Sequence, residues 1–149
     1  MRKIRISDVT MAQENKAFSL SFREKIELSK LLDRLGTDVI TLEAVREGRT
    51  DALRVKSIAA AVKNSTVAVP VLLEQDPTVV WSALSLAKKP RLQLSAPVSS
   101  VQMEYLYHKK TDAMLGSVTE QLKRCKALCA DVEFIAEDAT RAEPAFLAA

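Results

Sequence analysis

Two carboxylates, a hydroxyl and a guanidinium stand together at Glu137, Asp138, Thr140 and Arg141, directly after the strand-like run Val132-Glu133-Phe134-Ile135-Ala136. Carboxylates can pass protons or hold a hard cation, and an arginine beside them fixes charge and orientation. A strand whose C-terminal end opens into such groups is how parallel α/β proteins build sites. The same logic collects Asp8 and Thr10 after a first strand and Glu43 after a second. Glu74 and Asp76 follow a third strand, and Ser95, Ser99, Ser100 and Gln102 a fourth. The plainer reading of most of these groups is helix capping and loop solvation. Asp76, followed by Pro77, has the pattern of a cap.

The elements that must position them alternate strand and helix. Lys3 to Asp8 reads as strand one, Asp38 to Leu42 as strand two and Thr66 to Leu73 as strand three. Arg91 to Ser95 reads as strand four and the run at Val132 as strand five. Ser21 and Glu24 form a capping box opening a helix with Phe22, Ile26, Leu28, Leu31, Leu32 and Leu35, which stops at Gly36. Thr50 is placed to cap a second helix, with Leu53, Val55, Ile58, Ala59 and Val62. Asp76-Pro77 opens a third, with Val80, Ala83, Leu84 and Ala87. Ala96 to Lys110 reads as a long polar connection to a helix bearing Met114, Leu115, Val118, Leu122, Cys125 and Cys129. Strand starts recur about every 25 to 40 residues, the size of one βα unit.

Five parallel strands fit either an open doubly wound sheet or part of a TIM barrel. Length favours the open sheet, since a whole barrel takes roughly 250 residues. The segment after Pro144 argues the other way: it supplies less than two turns of helix and covers little of strand five.

The 149 residues are expected to form a single domain. Apolar content of 48% and charged content of 28% suit a globular chain rather than a disordered or collagen-like one. The net charge of +3 is spread out, and neither Lys88-Lys89 nor Lys109-Lys110 is interleaved with aromatics, so no nucleic-acid partner is expected. No apolar run approaches the roughly 20 residues of a membrane helix, and no signal peptide is apparent. Cys125 and Cys129, with the single His108, make a poor zinc site and read as reduced, half-buried helix thiols. His108, beside Lys109 and Lys110, reads as a surface residue. A cytoplasmic location is expected. The sequence contains no GxGxxG, GxxxxGK[ST], GxSxG or HExxH pattern. A phosphoacceptor receiver is also a poor match, because Ser7-Asp8, Leu73-Glu74 and Ala136-Glu137 stand where its acidic pair, Asp and Lys belong.

Three segments together resemble the 2-isopropylmalate synthase and homocitrate synthase family of metal-dependent lyase-type TIM barrels. Ile4 to Lys16 resembles the signature D-T-T-L-R-D-G-E-Q. Ser99-Ser100-Val101-Gln102-Met103-Glu104-Tyr105 is similar to S-D-I-H-L-x-Y. Val132 to Arg141 is similar to V-E-F-S-A-E-D-A-T-R. The resemblance implies the N-terminal part of a barrel and, for the family, a condensation of acetyl-CoA with a 2-oxo acid on a divalent metal (Mg, Mn or Zn). By resemblance, Glu137, Asp138, Thr140 and Arg141 are catalytic, Asp8, Thr10, Glu43 and Gln102 bind substrate, and Gln13 holds a metal-ligand position. The departures are specific. Ala12 stands where the family has a catalytic Arg and Gln13 where it has a metal-binding Asp. Gln102 stands for His and Thr41 for Glu, and the family's H-x-H ligands belong to a later strand. Ala12 cannot stabilise an oxyanion, and Gln13 is a weaker ligand than a carboxylate. The expectation is therefore a fragment or degenerate member with impaired or no activity, the alternative being a non-catalytic binding or scaffold protein that keeps the fold. A partial barrel also predicts exposed edges on strands one and five. Those edges call for self-association or for the missing C-terminal half of the barrel.

Overall fold

The computed structural model describes residues 4–13, 20–46 and 49–148. Five strands form one parallel sheet: β1 (Ser7–Asp8), β2 (Val39–Thr41), β3 (Thr66–Val71), β4 (Pro90–Pro97) and β5 (Val132–Glu137). Their spatial order is their sequence order. A doubly wound sheet must reverse its order at a switch point. This sheet never does, so it is a half-barrel and the open doubly wound alternative is excluded.

The helices are α1 (Phe22–Leu35), α2 (Arg49–Ala61), α3 (Pro77–Leu84), α4 (Ser100–Tyr107), α5 (Thr111–Leu128) and the single turn α6 (Pro144–Leu147). Ser21 and Glu24 make the predicted reciprocal box: the Glu24 carboxylate accepts from the Ser21 N–H at 2.8 Å, and the Ser21 hydroxyl accepts from the Glu24 N–H at 3.3 Å. Gly36, at φ 88°, closes α1 in the left-handed conformation that glycine adopts without strain. Asp76 caps α3 through the Thr78 N–H, with Pro77 at the first helical position.

Side-chain alternation assigns the two faces of the sheet. Ile40, Val67, Val69, Val71 and Leu92 join Val55, Ile58, Val80 and Leu84 in the main core, on the helix side. A second cluster joins Leu94 and Ala96 of β4 to Met103, Met114 and Val118. The alternate residues, Thr41, Ala68, Arg91, Gln93, Ser95, Glu133 and Glu137, lie on the opposite, concave face.

Five expectations need correcting. The segment expected as a polar connection contains α4, capped by Ser99, whose side chain accepts from the Gln102 N–H. Only Met103 of this helix is buried, so no apolar stripe announced it. The β1 ladder is two residues long rather than six, and Lys3 lies outside the described residues. Thr50 sits inside the first turn of α2 rather than capping it. In α1, Phe22, Leu31 and Leu35 are exposed, while Ile26, Leu28 and Leu32 pack against the core. Cys125 and Cys129 are both fully buried, and Cys129 forms the C-cap of α5.

Candidate active site

The C-terminal ends of β4 and β5 hold two hydroxyl–carboxylate pairs. Ser95 and Glu137 are concave-face neighbours offset by two residues, and the Ser95 hydroxyl donates to the Glu137 carboxylate. Ser99, fully buried, donates to Asp138 Oδ2 at 2.5 Å. Arg141 closes the second pair, its Nε lying 2.8 and 2.9 Å from the two Asp138 oxygens and its Nη2 2.7 Å from Oδ2. Asp138 itself has φ 58°, a left-handed conformation that few residues other than Gly, Asn and Asp adopt. The turn Ala139–Arg141 that follows swings Arg141 back onto it.

Charge follows this geometry. The Arg141 guanidinium, with help from the Ser99 hydroxyl, holds the Asp138 carboxyl below its usual range. Asp138 is thus a fixed anion and hydrogen-bond acceptor, poorly suited to deliver a proton near neutrality. The Tyr107 phenol is held above its usual range by burial and by the carboxylates of Glu137 and Glu74. Tyr107 therefore stays a neutral donor.

A second constellation lies after β2. Glu43 accepts from Lys25 Nζ at 2.5 Å and from Arg54 Nη2 at 2.8 Å, and Arg54 also reaches Asp51 at 3.0 Å. Sequence reasoning found Glu43 but missed the two cations. The available signal was their position: Lys25 and Arg54 lie near the starts of helices that follow strands, which is the same rim of the sheet. It also missed Arg91, which pairs with Asp131 at 3.0 Å, and Gln93, which donates to Glu133 at 2.6 Å.

A scan against family models matches residues 3–149 to the HMGL-like family. This chain belongs to the HMGL-like family. Among curated relatives of this HMGL-like chain, the 2-isopropylmalate synthase of Halalkalibacterium halodurans is 32% identical over 99% of the chain and 29% of its own length. That of Geobacillus sp. has the same identity and coverage. The probable 2-isopropylmalate synthase of Glycine max is 31% identical over 97% of the chain and 28% of its own length. The chain thus spans less than a third of the length of these relatives.

On this HMGL-like half-barrel the residues singled out by sequence lie in separate groups along one rim of the sheet. Glu137, Asp138 and Arg141 gather at β5, with Thr140 exposed in the same turn. Asp8 and Thr10 sit at the other edge, at β1, bonded to each other through the Asp8 carboxylate, Thr10 N–H and Thr10 hydroxyl. Gln102 lies in the first turn of α4 with a buried, unbonded Oε1. Gln13 is exposed after the turn Thr10–Ala12. The family resemblance implies a divalent metal, and the donors do not fit one. Among the described residues no three His, Cys, Asp or Glu side chains converge, and position 13 offers only a neutral amide. No described helix is long and apolar enough to cross a membrane.

Proposed function

We propose that this chain is a 2-isopropylmalate-synthase-like half-barrel, bearing the carboxylate flank of a site for condensing acetyl-CoA with a 2-oxo acid, and that by itself it does not turn that reaction over. The observation carrying this reading is the contrast between two ends of one rim. At β5, Ser95 bonds Glu137, and Ser99 and Arg141 both bond Asp138. At β1, the positions that resemble the family's signature hold Ala12 and an exposed Gln13. Enolate formation needs a preorganised positive group at the developing oxyanion, and an alanine methyl offers none. The test is release of free thiol from acetyl-CoA with 2-oxoisovalerate and Mg²⁺ or Mn²⁺. The expected rate equals the protein-free background, and robust turnover overturns the reading.

A second reading, a binding or scaffold protein that has kept the fold, is favoured by one specific feature. Asp138 and Arg141 spend their charges on each other, which makes them a latch on the β5 turn rather than groups presented to a ligand. Titration calorimetry with 2-oxo acids and CoA separates the two readings, since tight binding of either ligand counts against a pure scaffold.

A further inference from the structure

The helices α2 and α3 pack side by side on the helix side of the sheet, and a groove of about 240 Å³ lies between them. Its floor is Ala52 and Ala83, the least exposed of its lining residues. Two methyl groups at a helix contact leave room that larger side chains would fill. Leu53, 56% exposed, borders the groove from α2, and Ser82 borders it from α3. Val79, 47% exposed, lies one turn before Ser82 on the same face of α3. A lone exposed leucine is ordinary on a protein surface. This one adjoins a recess and is bracketed by charge.

Arg49 stands four residues before Leu53 and Lys56 three after it, so all three share one face of α2. Seven residues of helix set the two cations ~10 Å apart along the axis. Both are exposed, and neither has a hydrogen-bond or ion-pair partner among the described residues. Arg54, on the adjoining face of the same helix, is by contrast held by Glu43 at 2.8 Å and Asp51 at 3.0 Å. Among the described residues no carboxylate lines the groove. Positive charge on both sides of an apolar recess is complementary to one apolar side chain between two carboxylates.

We propose that the α2–α3 groove docks an acidic amphipathic helix of a partner protein, with an apolar anchor in the recess and a carboxylate one turn to either side, at Arg49 and Lys56. In this helix-in-groove contact the anchor supplies buried area and the charges fix orientation. The matching pattern is an acid at i, a large apolar residue at i+3 or i+4, and an acid at i+7. None of this chain's described helices carries that pattern, so the occupant is a different protein rather than a second copy. The groove belongs to the outer helical layer, and docking there neither uses nor needs the carboxylates of β5.

The test is fluorescence anisotropy of the whole chain with a labelled, Ala-rich helical peptide of about 16 residues carrying Glu, Leu and Glu at i, i+4 and i+7. A control peptide has Gln for both Glu. The Glu peptide is expected to bind about tenfold tighter than the Gln peptide, a preference that shrinks from about 0.05 M to about 0.5 M salt. Arg49→Glu with Lys56→Glu is expected to invert the preference toward a peptide carrying Lys at i and i+7. The milder pair Arg49→Gln with Lys56→Gln should erase it, and Leu53→Gln should weaken both peptides. All three positions are exposed, and far-UV circular dichroism checks that each variant keeps its fold. Three results overturn the proposal: equal affinity for the Glu and Gln peptides, a charge-reversed chain that keeps the original preference, or no saturable binding of the Glu peptide. The last holds whether or not phosphatidylserine vesicles bind through Arg49 and Lys56 instead.

Discussion

Asp33 is the most consequential single carboxylate for stability. It sits buried near the end of α1 and its oxygens accept from the N–H groups of Lys63 at 3.0 Å, Asn64 at 2.9 Å and Ser65 at 2.7 Å, and from the Ser65 hydroxyl at 2.9 Å. It thereby ties α1 to the loop that launches β3. Burial pushes its pKa up, but these hydrogen bonds outweigh burial and bring it from 3.8 to about 2. At about 1.4 kcal/mol per unit, that shift contributes roughly 2.5 kcal/mol to folding. Because the folded-state value is the lower one, the contribution is fully present above the unfolded value. It drains away as pH falls from about 5 through 3.8 toward 2. Asp33→Asn keeps the shape but removes the charge and turns an amide donor toward backbone donors. Urea unfolding at pH 7 is expected to show a loss of about 2 to 3 kcal/mol, a midpoint roughly 1 to 2 M lower for a typical slope. The gap between variant and wild type should narrow as pH approaches 2. An unchanged midpoint at pH 7, or a gap that does not narrow on acidification, refutes the reasoning.

Other outcomes follow from single contacts. Ser99→Ala removes both the α4 cap and the donor to Asp138, and is expected to cost about 1 to 2 kcal/mol in urea unfolding. Gly36→Ala meets open space yet must adopt a positive φ, so it should lose about 1 kcal/mol, and Gly36→Asn less, in thermal melts. Burial raises the pKa of the Cys125 thiol and encloses Cys129, so in native protein both should react with a thiol reagent far more slowly than after unfolding in urea. Stoichiometric labelling within the mixing time contradicts that burial.

Much of the scaffold was legible because its signals are local. The Ser21–Glu24 box, Gly36 and Asp76-Pro77 each mark a helix end through a short-range hydrogen bond or a fixed dihedral. The near-continuous apolar run of β3 betrayed a strand covered on both faces. What sequence could not supply was the long-range arrangement. Strand order depends on which side each crossover helix packs, and only the ladder pairs reveal it. The α4 helix escaped because Val101, Tyr105 and Leu106 point to solvent, so burial leaves no periodic trace. The cluster at β5 was visible as a string of residue types. Its partners Ser95 and Ser99 lie 42 and 39 residues earlier, a distance that no local pattern spans.

The left-handed turn at Asp138 also sets how the chain can drift. Its backbone admits Gly, Asn or Asp with little strain, while Arg141 and the Ser99 hydroxyl demand an anion. Asparagine meets the first demand and not the second; glutamate meets the second and not the first. Aspartate alone satisfies both, so every single-residue path away from it runs downhill in fitness for the fold. Thr140, exposed two residues on, faces neither of these two demands. The neighbourhood that looked uniformly chemical is therefore uneven in its constraints, with Asp138 answering at once to its backbone and to its two partners.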